Sequence, residues 1–241
     1  MKAVIVAAGR GSRLMNHKPK TLIKIGEKTI LEYILQNLTT AGVEEFVIVV
    51  GYQARVLQDF LVSNNHFGMN IQTVYNDEWQ KGNGISVLKS EELIGDQQFI
   101  LSMSDHIVSP KALQRIIFAE DQRNLLLVDP DVERIFDIDD ATKVQLKEEK
   151  IKNIGKELKS YNGIDCGIFK LKPDFYQAMR RQLEMGKESI SAAVQKLIEM
   201  DDMAAVFMKA DEWWIDIDTP EAFDFASKNL NKFIGQHEPV G

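Results

Sequence analysis

The sequence predicts an α/β protein: a mostly parallel mixed sheet with helices on both faces, and a small β-rich add-on in the C-terminal half. Three observations predict it. Ala3–Ala8 and Phe46–Val50 are continuous apolar runs, the pattern of strands buried on both faces. Strand-like and helix-like segments alternate five times before about residue 130, which implies parallel strands joined by crossover helices. Beyond that point short strands flank the charged turn KEEK before helices return.

The elements follow in order. Ala3–Ala8 runs into a glycine turn, Gly9-Arg10-Gly11-Ser12. Glu32–Ala41 has helical periodicity and stops at Gly42, a good C-cap. The strand Phe46–Val50 ends at Gly51 and is followed by a helix near Ala54–Leu61 and a strand at Ile71–Tyr75. After the polar loop NDEWQKGNG come a helix over Ile85–Leu93 and a strand over Phe99–Met103. Pro110–Phe118 is a helix with proline at its start, where the missing N–H costs little, and Leu125–Val128 is the next strand. Lys143–Leu146 and Ile151–Ile154 read as a hairpin around KEEK. Gly167–Leu171 is a strand, Asp174–Leu183 and Ser191–Ile198 are helices, and Ala205–Met208 is a strand. Thr219-Pro220-Glu221 opens the last helix, with threonine as N-cap. Residues 1–241 read as one domain, the change near residue 130 being an addition to the sheet.

Charge and composition exclude several functions. With 36 acidic and 29 basic residues the net charge is −7, which argues against general nucleic-acid binding. One cysteine, Cys166, forms no internal disulfide, and no Cys/His cluster has metal-site spacing. The apolar start lacks a signal-peptide cleavage pattern, and no run approaches the ~18 apolar residues of a membrane span. A cytoplasmic protein without membrane insertion is expected, its oligomeric state left open.

Against that acidic background, four bases crowd the segment after the first strand: Arg10, Arg13, Lys18 and Lys20. A strand leading into small residues lets backbone N–H groups approach phosphate oxygens. The glycine spacing alone is weak, because it lacks both the third glycine of a dinucleotide fingerprint and the Lys-Ser/Thr pair of a P-loop. Arg13 and the Lys18-Pro19-Lys20 run add a guanidinium fork and point charges that suit a triphosphate. Asp105 lies just past the strand FILSM, at the carboxyl edge where open α/β sheets bind ligands. Asp216 and Asp218 sit in WWIDIDTPE, two apart, so an extended segment points both to one face. Such carboxylates can converge on Mg²⁺ together with substrate phosphates. His106 reads as a structural neighbour of Asp105.

AAGRGSRL…KPK, GYQA, GNGISVL, SDH, DCGIF and WIDIDTPE occur in the order found in nucleotidyltransferases that join a nucleoside triphosphate to a phosphorylated small molecule. The chain resembles that superfamily from Lys2 to about Leu230. Within it the chain is most similar to the CTP:inositol-1-phosphate cytidylyltransferases, through GNG.S.LK, FIL.M.DH, DI..ATKV, I..IGK.L and W.D.DT.

The resemblance implies a Rossmann-like nucleotide-binding part over about residues 1–130, then a part over about 131–241 that binds the acceptor and brings the second metal acid. It implies that Ala7, Ala8 and Gly9 meet the nucleotide through main-chain atoms, and that Gly11, Arg13 and Lys20 hold the phosphates. Gly82-Asn83-Gly84 then faces the base, with Asn83 departing from the Gly-Thr-Ala common in relatives. Asp105 is the first Mg²⁺ ligand. The pattern Trp-x-Asp favours Asp216 as the second, and other cytidylyltransferases carry an acid at the place of Asp218. Lys156 corresponds to a lysine on the acceptor's phosphate, and Asp165 to a carboxylate that takes hydrogen bonds from ring hydroxyls. Arg13, Lys20 and Lys156 are the catalytic cations.

The implied reaction joins CTP, or another nucleoside triphosphate, to inositol 1-phosphate, giving CDP-inositol and pyrophosphate. A separate membrane enzyme is expected to use the product. Phosphocholine or a hexose 1-phosphate is the alternative acceptor, and a non-catalytic nucleotide-binding regulator is the alternative of another class.

Overall fold

The structure is a computed structural model, and it describes residues 1–11, 13, 18–148 and 150–229. Ser12 of the glycine turn and Glu149 of the KEEK turn lie outside them.

The first strand, β1 (Lys2–Ala7), explains why its sequence is apolar throughout. Ala3, Ile5 and Ala7 enter one hydrophobic core, while Val4 and Val6 enter a second on the opposite face. A small hairpin, β2 (Lys24–Ile25) and β3 (Lys28–Thr29), follows and is not evident from the sequence pattern. It delivers Thr29 as the N-cap of α1 (Ile30–Thr40). Thr29 Oγ1 accepts from the Glu32 amide and Glu32 Oε2 from the Thr29 amide, a capping box that starts the helix two residues before the apolar periodicity does. Then come β4 (Glu45–Val50), α2 (Ala54–Ser63) and β5 (Asn70–Tyr75).

The helix read over Ile85–Leu93 is two helices, α3 (Asn83–Leu88) and α4 (Glu91–Ile94). Ser90 breaks it, since its hydroxyl and its amide both donate to the Val87 carbonyl, at 2.6 and 3.0 Å. The chain continues through β6 (Phe99–Met103), β7 (His106–Val108), α5 (Pro110–Ile117) and β8 (Asn124–Asp129). The add-on hairpin is β9 (Lys143–Lys147) and β10 (Lys150–Gly155). After it come β11 (Gly163–Leu171), α6 (Asp174–Glu184), α7 (Ile190–Glu199), β12 (Met203–Phe207), β13 (Trp214–Asp216) and α8 (Pro220–Lys228). Thr219 caps α8 by accepting from the Ala222 amide at 3.1 Å, as the Thr-Pro-Glu signal requires.

One nine-stranded sheet runs through both halves, in the order β5-β4-β1-β6-β11-β8-β12-β10-β9. β5, β4, β1 and β6 are mutually parallel, and β12 is parallel to β8. The sheet is mixed, as expected from the sequence, because β11 runs antiparallel between β6 and β8. Its chain arrives from the hairpin and not from a crossover helix, so it enters from the opposite end. That reversal brings the start of β11 to the edge where β1, β6 and β8 finish.

Candidate active site

A cavity of about 630 Å³ opens at this edge. Its wall is built from the ends of β1, β6 and β8, the start of β11, the residues flanking the hairpin and the approach to α8. The pairing of β7 with β13 does the decisive positioning. Asp216 lies opposite His106 in that antiparallel register, so the SDH and WIDID stretches, distant in sequence, share one corner. The ring of His106 stacks on Trp214, centroids 5.5 Å apart, and its Nδ1 sits 2.7 Å from Asp105 Oδ1. Gly167 is required beneath it: its φ is +72°, and a Cβ there would lie 2.6 Å from the imidazole.

Two of the four bases after the first strand, Lys20 and Arg13, reach the same corner, whereas Arg10 lies over the Tyr52 ring, 5.7 Å from its centroid. Lys20, 7% exposed, follows Pro19 into a short 3₁₀ turn and lies against Gly11. Gly11 has φ +60°, and a Cβ would come within 2.6 Å of the Lys20 stem, so the glycine turn and the lysine are fitted together. Lys20 Nζ donates to Asp105 Oδ2 at 2.8 Å and also to Asp218 Oδ1. Arg13 lies 2.6 Å from both Asp140 and Asp218. Lys156, at the end of the hairpin, donates to the other oxygen of Asp140 at 2.9 Å.

These contacts set the ionisation of the corner. Burial works against the charge on Asp105, yet Lys20 and His106 beside it hold its carboxyl well below the usual carboxylate range. Burial likewise opposes charge on His106, but Asp216 and Asp105 raise its imidazole to about 9. Asp216 is pushed up to about 6, by burial and by the neighbouring carboxylates of Asp105 and Asp218. Asp165 is also pushed up to about 6 by burial, although it accepts the Gly167 amide at 2.7 Å and faces His106. Desolvation disfavours charge on Asp140, and the hydrogen bonds from Lys156 and Arg13 outweigh it, lowering its carboxyl.

The residues fit a divalent cation. Asp105, His106 and Asp216 offer donor atoms within 4.8 Å of one another, as do Asp140, Asp216 and Asp218. Asp216 belongs to both groups, and its Oδ1 is shut away from solvent with no hydrogen-bond donor. His106 Nδ1 stands 3.8 Å from it, beyond hydrogen-bond distance. A buried carboxylate oxygen without a partner costs free energy unless something fills that place, and a hard cation prefers oxygen ligands.

Most of the residues singled out in the sequence meet here. Ala7, Gly9, Gly11, Arg13, Lys20, Asn83, Asp105, Lys156, Asp165, Asp216 and Asp218 line the cavity. Three lie behind the wall. Ala8 is 1% exposed, with its carbonyl taken by the Tyr52 amide. The Gly82 and Gly84 amides donate to the Glu188 carboxylate and carbonyl, and Asn83 Oδ1 accepts from Ile190. The GNG stretch is thus fastened to the start of α7.

The sequence reading missed Asp129, Asp140, Phe136 and Phe225, all on the wall. Asp129 is fully buried and receives Arg134 Nε at 2.9 Å and Trp214 Nε1 at 2.8 Å. Its available signal is an acid at a strand end, the same signal that marks Asp105. Asp140 sits in DIDD, which looks like an ordinary solvated run. Among the described residues no helix is long and apolar enough to cross a membrane.

Comparison with known proteins agrees with this geometry. The chain is 32% identical over 230 residues to the bifunctional IPC transferase and DIPP synthase of Thermococcus kodakarensis, covering 95% of this chain and 50% of that protein. It is 30% identical to the protein of the same name from Archaeoglobus fulgidus, covering 95% and 44%. The chain therefore spans about half the length of these relatives. Among solved structures it resembles the inositol-1-phosphate CTP transferase from T. maritima, with a TM-score of 0.86, 27% identity, and coverage of 96% of this chain and 95% of that one. A UDP-glucose pyrophosphorylase, 21% identical with a TM-score of 0.81, covers 96% of this chain and 98% of its own and shares the fold. The family model described as nucleotidyl transferase matches residues 2–232, nearly the whole chain, and the protein belongs to the nucleotidyl transferase family.

Proposed function

We propose that the protein transfers the cytidylyl group of CTP to inositol 1-phosphate, giving CDP-inositol and pyrophosphate. The observation that carries this reading is the end-to-end likeness to the T. maritima inositol-1-phosphate CTP transferase, since it covers nearly all of both chains. The cavity of about 630 Å³ supports it, with room for a nucleotide and a cyclitol phosphate side by side and cations along its wall.

An oxygen of the acceptor phosphate attacks the α-phosphorus of CTP. The bond from that phosphorus to the bridging oxygen breaks, and its electron pair leaves with pyrophosphate. A phosphate monoester with a second pKa of about 6 is largely a dianion at neutral pH, so the nucleophile needs no strong general base. The work left to the protein is to align two anions and offset their charge. Main-chain atoms of Ala7, Gly9 and Gly11 border the nucleotide, Arg13 and Lys20 hold its phosphates, and Asn83 lies on the base side. Lys156 takes the acceptor phosphate, and Asp165 accepts from the ring hydroxyls. Asp105 and Asp216 would hold Mg²⁺, the divalent ion suited to carboxylates and phosphates. When bound, Mg²⁺ supplies charge neutralisation on the transferring phosphoryl group. Asp218 orients Lys20 and Arg13.

The test is pyrophosphate release across the four ribonucleoside triphosphates paired with inositol 1-phosphate, phosphocholine and hexose 1-phosphates. CTP with inositol 1-phosphate should give the highest kcat/KM. A clear preference for another pair overturns the assignment.

A further inference from the structure

Asp140 has no step in the reaction above. It lies in the connection 130–142 between β8 and β9. That connection is fixed at three places. Arg134 is held on the buried carboxylate of Asp129, its Nη2 at 2.8 Å. Phe136 stacks on Phe225 of α8 with ring centroids 4.6 Å apart. Lys143 Nζ donates to the carbonyls of Asp139 and Ala141, at 3.0 and 3.3 Å. The Asp140 carboxylate is thereby presented at one point of the cavity wall.

Two cations from distant parts of the chain meet it there. Arg13 Nη1 is 2.6 Å from Oδ2, and Lys156 Nζ is 2.9 Å from Oδ1. Both cationic side chains are about half exposed, at 50% and 49%. Without an anion between them they would repel one another, leaving Arg13 on Asp218 alone, 2.6 Å away, and Lys156 to spread over its rotamers. A carboxylate that gives one oxygen to a guanidinium and the other to an ammonium offers each what a phosphate offers. We infer that Asp140 is a positioning residue that keeps Arg13 and Lys156 converged on one anion point, and that a substrate phosphate displaces it from that point. The inference rests on the reading that Arg13 and Lys156 bind phosphates, and is independent of which acceptor is used.

Binding a phosphate then includes breaking two half-exposed ion pairs. Such pairs are individually weak, and two together correspond to a loss of about 2- to 30-fold in phosphate affinity. Asp140→Asn keeps the shape of the side chain and removes its charge. Asp140→Glu keeps the charge.

The experiment measures the rise in Tm with graded inorganic phosphate, against chloride at matched ionic strength, for the metal-free full chain. The Asn variant should bind phosphate about 2- to 30-fold more tightly than the wild type. The Glu variant should stay nearer the wild type, which a purely steric role of this connection would not require. Equal or weaker phosphate binding by the Asn variant, or no phosphate effect on either protein, overturns the inference. So does unchanged phosphate binding with a fall in Mg²⁺ affinity, titrated alone, which would make Asp140 a fellow ligand of Asp216 and Asp218. Pyrophosphate release from CTP judges the proposed reaction separately, because tighter phosphate binding without turnover leaves this inference standing and removes that one.

Discussion

Two groups of ion pairs meet in one cavity, and they differ in how much water they keep. Lys20, Asp105 and Asp218 have side-chain exposures of 8%, 21% and 20%. Arg13, Asp140 and Lys156 keep 50%, 33% and 49%. The difference follows from how each cation is carried. Lys20 is pinned under the glycine turn by Gly11 and by the rigid Pro19 before it. Arg13 belongs to the loop after β1 and Lys156 follows the end of the hairpin, so neither stem is packed into a core. Charges removed from water are costly to separate, whereas exposed pairs exchange partners at small cost. The inner group thus fixes where the candidate metal acids stand. On the proposed reading, the outer group would hand its cations to an incoming phosphate.

The largest effects should come from the acids of the inner corner. Asp105→Ala should abolish turnover with the fold intact, since the residue lies just past a strand end and not in either core. Asp216→Asn should cost several orders of magnitude in kcat, because its partnerless oxygen is common to both candidate cation groups. Asp218→Asn should cost about 10- to 100-fold, the range for residues that orient a ligand shell, since it holds Lys20 and Arg13. Single-turnover rates at saturating Mg²⁺ and CTP decide the order. If Asp218→Asn proves the more damaging, the second ligand is Asp218 and the inner group must be redrawn around it.

Stability should separate the two groups next. Lys20→Ala strands Asp105 and Asp218 without their ammonium and should destabilise the metal-free protein by about 2–4 kcal/mol, a little below the loss from breaking a fully buried pair. Arg13→Ala and Lys156→Ala should each stay within about 1 kcal/mol, the range of exposed pairs. All three should raise a KM: that of CTP for Lys20 and Arg13, that of the acceptor for Lys156. Urea unfolding and initial-rate kinetics give both readings. Equal stability losses at the three positions would mean that burial does not distinguish the groups.

How much of this could be read from the chain divides along the same line. The parallel half was legible because β1, β4 and β6 are apolar on both faces and helices such as α1 are periodic. Arg13, Lys20 and Asp105 were legible because they stand next to such strands. The β7–β13 pairing was not, since three-residue strands carry too few side chains to show a period. Yet that pairing is what sets Asp216 beside His106. Ser90 breaks a helix through one side-chain hydrogen bond, which a window of apolar residues does not register. Asp140 was hidden in an acidic run, where nothing local marks the one carboxylate that two remote cations will meet. Local signals located the strand-end residues, and long-range contacts decided their partners.

The smallest expected effect tests whether the basic stretch is a clamp or a diffuse patch. Lys18 and Lys20 flank one proline, and the resemblance singles out Lys20 alone. The structure separates them too, since Lys18 is exposed while Lys20 is buried at the acids of the inner corner. Proline fixes φ at its own position and so limits how the two side chains can exchange places. An exposed lysine contributes to the field over the cavity, and that contribution is screened within about 8–10 Å at physiological salt. Lys18→Ala should therefore change the KM of CTP by no more than about twofold and stability by no more than about 0.5 kcal/mol, the usual bounds for a surface substitution. Any residual effect should disappear as ionic strength rises, while the defect of Lys20→Ala should persist. Titration of KM against salt for the two variants makes the comparison. Matching defects with matching salt dependence would show that the stretch attracts the triphosphate by net charge alone, and the pairing of Lys20 with Asp105 and Asp218 would then have no part in specificity.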